Sequence, residues 1–102
     1  MSIKKRYLKN RPRCKVTLNL PEYVAPNGSP VYVAGDFNQW NPEANQMKRL
    51  KNGCFQVTLD QAIDREYQFR YVVGLSQWEN DDQADNWVPN NFSGEENSVI
   101  IV

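Results

Sequence analysis

Histidine is absent from this chain of 102 residues, and cysteine occurs only twice. The first absence removes the commonest metal ligand and the usual general base of enzymes. Cys14 and Cys54 are too few and too far apart in sequence to form a zinc site. Cys14 shares the alternation of an apolar strand face and Cys54 does not, so we expect two free thiols in a reducing compartment. We therefore expect no metal and no cofactor.

Long apolar runs and helical periodicity are also missing. No segment is apolar over the length that a membrane span needs, and no apolar stretch follows the charged start of the chain as in a signal peptide. We therefore expect a cytoplasmic protein with no membrane partner. No window of useful length has the period of a helix, which argues against a helical fold.

The net charge is zero, but the two signs of charge are segregated. Seven basic residues precede the first acid, Glu22, whereas nine acids from Asp60 onward face only Arg65 and Arg70. A basic segment can indicate nucleic-acid binding, but residues 1–12 lack the aromatic interleaving of a single-strand binder. We favour a basic N-terminal arm or edge strand that complements the acidic half, without a specific nucleic-acid partner.

Every strong pattern that is present has the period of a β-strand. Apolar and polar residues alternate over 14–20, 31–34, 54–60 and 66–73, and shorter strand patterns occur at 47–50 and 98–102. Asn52-Gly53 predicts a hairpin between the strands at 47–50 and 54–60. Short strands with closely spaced turns indicate one all-β sandwich domain over 1–102, in which 13–102 form the sandwich proper.

One turn carries two large aromatic residues among polar turn formers. It follows the strand at 31–34 and runs from Gly35 to Pro42. We expect Phe37 to anchor this turn in the core, and Trp40, which is surrounded by amides, to face a ligand. A second indole, Trp78, follows the longest predicted strand, and we expect it to be exposed. Trp87 is expected to pack against the sandwich edge.

These aromatic and amide residues suit a sugar ligand. A pyranose has one face of C–H groups and a rim of hydroxyls, so it needs a flat aromatic surface, and indole offers the largest one. Asn and Gln amides match vicinal hydroxyls because each carries a donor and an acceptor. Asn38 is close to Trp40 in sequence, and Asn80 is close to Trp78. Gln68 alternates with the predicted core residues of its strand and is therefore available to a ligand.

The carboxylates leave a glycosidase as an alternative. A carboxylate pair about 5–10 Å apart can hydrolyse a glycosidic bond, and Asp81 and Asp82 are the candidates. Adjacent residues of an extended chain point apart, and this segment looks exposed. We therefore expect solvated loop acids or turn caps, and no enzyme.

Several segments together match a known pattern: the strand and turn at 31–42, Met47-Lys48-Arg49-Leu50, Gly53-Cys54-Phe55, residues 66–72 and Trp78-Glu79-Asn80-Asp81. In these segments the chain resembles carbohydrate-binding module family 48, the isoamylase N-terminal or early-set domain, over nearly its whole length. Relatives precede the catalytic barrel of glycogen-branching and debranching enzymes or form the glycogen-binding domain of the AMP-activated protein kinase β subunit. The resemblance implies an immunoglobulin-like (early-set) β-sandwich of about seven to eight strands that binds α-1,4-glucans such as glycogen, starch or maltodextrin.

The resemblance also implies site residues. In the kinase-type domains two Trp residues grip the glucan, and Trp40 and Trp78 match them by position. A Lys that contacts sugar there is replaced by Gln68, which keeps a donor but loses the charge, and a binding Asn near the C-terminus matches Asn97. A Leu that inserts into the glucan helix falls near Phe92 or Ser93, in a longer loop over 80–94. The predicted carbohydrate site is Trp40, Trp78, Gln68, Asn97, Asn38 and Asn80.

Two functions follow as hypotheses. The first is a non-catalytic α-glucan-binding module with a dissociation constant nearer millimolar than nanomolar, about −4 to −6 kcal/mol. The alternative is a protein-interaction or regulatory subunit, with a degenerate sugar site, that pairs with a glucan-active enzyme or kinase.

Overall fold

The computed structural model describes residues 1–74, 76–90 and 93–102. These residues form ten β-strands and two short 3-10 turns. In chain order the strands are β1 (Ser2–Tyr7), β2 (Arg13–Leu20), β3 (Val31–Gly35), β4 (Asn45–Gln46), β5 (Lys48–Arg49), β6 (Phe55–Ala62), β7 (Glu66–Val73), β8 (Gln77–Glu79), β9 (Asn86–Pro89) and β10 (Glu96–Ile101).

The strands form two antiparallel sheets that pack as an immunoglobulin-like sandwich, which confirms the predicted fold class. One sheet has the order β1-β2-β6-β5, and the other has the order β4-β3-β7-β10-β9, with β8 also paired to β7. The observed number of strands exceeds the predicted seven to eight because short strands, such as the two-residue β4 and the three-residue β8, lie outside the predicted strand segments.

The core lies between the sheets and consists of the alternating residues of their central strands. Burying these side chains supplies the main driving force for folding. Tyr67, Phe69 and Tyr71 of β7 are all buried, as their alternation predicts. From the opposite sheet, the four inward residues of β2 are Cys14, Val16, Leu18 and Leu20. Burial raises the pKa of the Cys14 thiol, and both cysteines are free.

The chain changes sheets at Met47, the first residue of the strand predicted at 47–50. β4 pairs with β3, whereas β5 pairs with β6 in the other sheet. Met47 lies between them, is buried, and donates its backbone N–H to Val31 O at 2.8 Å. A buried methionine can fill the irregular space at such a crossing.

The predicted hairpin at Asn52-Gly53 joins β5 to β6. The backbone N–H of Leu50 donates to Cys54 O at 2.7 Å, and that of Gly53 donates to Leu50 O at 2.9 Å. Gly53 has a φ of +88°, which glycine adopts without steric cost, while Asn52 accepts the Cys54 N–H through its side chain at 3.0 Å.

Residues Ser2–Tyr7 of the basic N-terminal segment form an edge strand, β1, paired along its whole length with β2. Lys5 pairs with Asp85, and Arg13 and Lys15 both pair with Asp60. Hydrogen bonds from Arg13 and Lys15 lower the pKa of Asp60. Within the described residues, no helix has the length and apolarity that crossing a membrane would require.

Candidate carbohydrate site

A cavity of about 810 Å³ lies over the outer face of the six-stranded sheet. Four of the six predicted site residues line it: Trp40, Gln68, Trp78 and Asn97. The other lining residues are Arg70, Ser76, Pro89, Asn90, Ser93 and Glu95.

Strand register explains why these side chains meet. Tyr67, Phe69 and Tyr71 of β7 point into the core, so Gln68 and Arg70 point outward. Trp78 of β8 lies opposite Val72 and shares this outer face. On β10, Ser98 lies opposite Phe69, so its neighbour Asn97 also faces outward.

The Trp40 indole is fixed by the carboxylate of Asp36. Trp40 Nε1 donates to Asp36 Oδ1 at 3.0 Å, and the backbone N–H of Gln68 donates to Asp36 Oδ2 at 2.8 Å. One side chain therefore joins the indole to the strand that carries Gln68. Phe37 anchors the same turn as predicted, with its ring 6.5 Å from that of Tyr67.

The backbone of this turn is strained at Trp40. Gln39 and Trp40 both lie in the left-handed region, at φ 56° and 58°. This conformation is unfavourable for a bulky side chain, and surrounding contacts must hold it. The Trp40 N–H donates to Gly35 O at 2.9 Å, which closes the turn. Such strain concentrates at functional sites.

Gly35 allows the turn to lie close to β7. A Cβ atom at this position would come within 2.5 Å of Gln68 O and 2.8 Å of Phe69 Cβ. Only a residue without a side chain fits, so the glycine sets how closely the Trp40 turn approaches Gln68.

A chain of amides orients Gln68. Asn90 Nδ2 donates to Asn97 Oδ1 at 3.2 Å, and Asn97 Nδ2 donates to Gln68 Oε1 at 3.1 Å. The oxygen of Gln68 is thus an acceptor within the protein, and its Nε2 has no hydrogen-bond partner among the described residues. Gln68 therefore presents a donor at the cavity.

The second indole contacts a charged pair. Trp78 is 36% exposed, and the guanidinium carbon of Arg70 lies 5.6 Å from its ring centroid. Arg70 also forms an ion pair with Glu95, another lining residue of the cavity. The described part of the chain contains no cluster of three residues suited to hold a metal ion.

Comparison with known proteins identifies the family. The family model for carbohydrate-binding module 48 (isoamylase N-terminal domain) matches residues 16–88, most of the chain. The chain belongs to this family. It is therefore a carbohydrate-binding module, and the matched range contains Trp40, Gln68 and Trp78.

The individual relatives are an amylopullulanase and 1,4-alpha-glucan branching enzymes. An amylopullulanase of Thermoanaerobacter thermohydrosulfuricus is 34% identical over 64 residues, which cover 59% of this chain and 4% of the enzyme. The 1,4-alpha-glucan branching enzyme GlgB of Butyrivibrio fibrisolvens is 59% identical over 29 residues, 28% of this chain and 4% of the enzyme. GlgB of Aliivibrio fischeri is 39% identical over 46 residues, 44% of this chain and 6% of the enzyme. The chain thus spans only a few per cent of the length of these relatives.

Two predicted contact residues of this carbohydrate-binding module do not line the cavity. Asn38 accepts the Gly35 N–H at 3.0 Å and donates to Val33 O at 3.0 Å and to Asn45 Oδ1 at 2.7 Å. Asn80 donates to Glu96 O at 2.8 Å and accepts from Ser98 Oγ at 2.7 Å. Both amides stabilise the turns that support the site, and we leave them out of the proposed contacts.

Asp81 is a turn cap, one of the two roles expected for it, but it is buried and not exposed as expected. It is fully buried, accepts the Tyr71 hydroxyl at 2.6 Å through Oδ2, and caps the Gln83 N–H at 2.8 Å through Oδ1. Asp82 is exposed, as expected.

Trp87 packs only partly against the sandwich edge, where it was expected to pack. Its side chain on β9 is 40% exposed. Its Nε1 donates to Asp81 O at 3.1 Å.

The sequence prediction missed Arg70 and Glu95. Alternation does place Arg70 on the same face as Gln68, so a signal for it existed. Glu95 lies in an irregular segment before β10, where no periodicity indicates a direction. Of the two residues expected near the helix-inserting position, Ser93 lines the cavity and Phe92 lies outside the described residues.

Proposed function

We propose that this module binds α-1,4-glucan, such as glycogen, starch or maltodextrin, without catalysing a reaction on it. The observation that carries the proposal is that both predicted indoles, Trp40 and Trp78, line one open cavity with the Gln68 amide. The flat indole faces would stack on the C–H faces of successive glucose rings. Gln68, supported by Asn97, would donate to a hydroxyl on the rim.

The α-glucan class is supported by the relatives described above, two of which are 1,4-alpha-glucan branching enzymes. A shared binding domain suits a shared substrate class. The open cavity fits the weak affinity that a shallow sugar site is expected to give.

The arrangement of carboxylates supports a binding role over hydrolysis. Glycosidases need two carboxylates flanking the scissile bond, about 5–10 Å apart. Among the described lining residues, Glu95 is the one carboxylate, and it is paired with Arg70. Both oxygens of Asp81 are engaged inside the protein.

Calorimetric titration with maltoheptaose, with cellohexaose as a β-linked control, tests the proposal. Trp40→Ala is expected to lower the affinity at least about tenfold, since a stacked aromatic in a small site contributes on the order of 1–3 kcal/mol. Trp87→Ala is the control because Trp87 is an exposed indole that does not line the cavity. It should bind as tightly as the wild type.

The proposal fails if the wild-type module does not bind maltoheptaose. It also fails if Trp40→Ala and Trp87→Ala reduce the affinity equally while circular dichroism shows both variants folded. A module without sugar affinity that retains a glucan-active enzyme from extract would instead favour the interaction role.

A further inference from the structure

A charged pair lies in a cavity proposed to bind an uncharged sugar. Arg70 is only 6% exposed, and its Nε has no hydrogen-bond partner among the described residues. Burying a guanidinium is unfavourable unless partners compensate for the lost water, and an apolar side chain of similar size would be less costly. The buried ion pair is thus weak evidence for added stability, and the contacts of Arg70 indicate what else it does.

Strand pairing brings Arg70 to a junction. β3 covers one side of β7 over residues 69–73. On its other side, β10 pairs with residues 66–69 and β8 with residues 71–73. Arg70 is thus the residue between the end of one neighbour and the start of the next, where two segments of the cavity wall meet.

The Arg70 side chain contacts both of these segments. Trp78 of β8 lies opposite Val72, so Arg70 is its diagonal neighbour on the same face, with its guanidinium carbon 5.6 Å from the ring centroid. Glu95, which precedes β10, forms the ion pair with Arg70 and keeps 62% of its side chain exposed. The guanidinium thus lies between the Trp78 indole and the Glu95 carboxylate and contacts both.

We propose that Arg70 and Glu95 are positioning residues for the Trp78 indole, a role that rests on the proposed glucan binding. Arg70 supports part of the indole ring through a cation–π contact. The rest of the ring surface stays available to the sugar. Glu95 holds the guanidinium in place through hydrogen bonds assisted by charge. The ring is thereby oriented before the ligand arrives, which lowers the entropic cost of binding.

Two measurements test this role with Glu95→Gln and Arg70→Lys. The first needs no sugar: in a Trp40→Phe/Trp87→Phe background, Trp78 is the sole indole, and acrylamide quenching of its fluorescence reports its accessibility. Both substitutions should increase quenching, because glutamine lacks the charge and lysine lacks the planar fork. The second is maltoheptaose titration in the otherwise wild-type chain, where affinity should fall about threefold to tenfold.

Asp60→Asn is the matched control, since it removes an ion-paired carboxylate on the other sheet. It should change neither quenching nor affinity. Glu95 is exposed, so Glu95→Gln remains informative even if Arg70→Lys folds poorly. The inference is overturned if Glu95→Gln leaves quenching unchanged, or if affinity is unchanged despite altered quenching. Increased quenching in a module whose wild type binds no maltoheptaose would support the positioning role and refute the proposed function.

Discussion

At the scale of single residues, Asp36 is the one whose two oxygens serve two parts of the site. Its partners are both N–H donors, the Trp40 indole and the Gln68 backbone. Asp36→Asn keeps the shape but turns an N–H₂ group toward one of these donors, so one hydrogen bond is lost. We expect a loss of about 1 kcal/mol in the free energy of unfolding and about threefold to tenfold weaker maltoheptaose binding.

Urea unfolding and titration measure the two effects. Asp82→Asn is the control, because Asp82 is an exposed acid outside the cavity lining. If Asp36→Asn binds maltoheptaose as the wild type does, the carboxylate does not set the position of the Trp40 indole.

The polar residues also show where sequence reasoning stops. Alternation on β7 is enough to predict that Gln68 points away from the core. The polar composition of the turn is enough to predict Trp40 as a ligand-facing residue. The same chemistry that suits Asn38 and Asn80 to hydroxyls also suits them to backbone groups, and here both amides bond to the backbone or to neighbouring side chains. The partners of Asn38 lie within seven residues of it, whereas those of Asn80 lie 16 and 18 residues away. The amide chemistry alone therefore does not show whether a ligand or the protein itself will use the group.

At the scale of elements, a buried network joins β7 to β10 and to the segment between β8 and β9. Tyr71 donates to Asp81, whose backbone N–H donates to Ser98 Oγ at 2.9 Å, and the Ser98 hydroxyl bonds Asn80. This segment is irregular, so neither the burial of Asp81 nor its partner has a periodic signal in the sequence. The network helps to hold the chain that leads to Asn90 and Asn97 at the cavity.

Tyr71→Phe is expected to destabilise the domain by about 1–3 kcal/mol at pH 7, because it leaves a buried carboxylate without its hydroxyl donor. The effect should also depend on pH. Burial, followed by the charge of Asp81 and the hydrogen bond to it, raises the pKa of Tyr71 well above its usual value. Unfolded tyrosine loses its proton near pH 10 whereas the folded residue keeps it, so this contribution to stability is complete below pH 10 and declines above it.

The advantage of the wild type over Tyr71→Phe should therefore shrink as the pH rises above 10, by at most about 1.4 kcal/mol per pH unit. Urea unfolding of both proteins at pH 7, 9 and 10.5 measures this difference. A difference that stays constant from pH 9 to 10.5 would contradict the proton linkage.

At the scale of the whole molecule, period-two alternation suffices to predict a sandwich, because both sheets bury one face of their central strands. It does not predict the full strand count. The outer strand β1 is largely basic and has no apolar alternation, and the two-residue β4 lies outside every predicted strand. These strands form because a neighbouring strand offers backbone hydrogen bonds. That pairing depends on the assembled sheet, and the sequence of the segment alone does not reveal it.

The segregation of charge along the sequence leads to an ion pair between the two sheets. Lys5 lies on β1 in the four-stranded sheet, whereas Asp85 directly precedes β9 in the six-stranded sheet, and their charged groups are 2.6 Å apart. Asp85 Oδ2 also accepts the Ile101 N–H of β10 at 2.7 Å. The pair thus connects the basic N-terminal edge to the acidic C-terminal part of the sandwich.

Lys5→Met should lower the free energy of unfolding by about 0.5–1 kcal/mol, since both side chains keep about a quarter to a third of their surface in water and the attraction is partly screened. Hydrogen exchange at the β1 amides should become faster. Lys4→Met is the control, because Lys4 is exposed on the same strand and has no ion pair among the described residues. The difference between the two variants should diminish in 1 M salt, where the screening length falls to about 3 Å. Equal effects of the two substitutions at low salt would mean that the Lys5–Asp85 pair does not join the sheets.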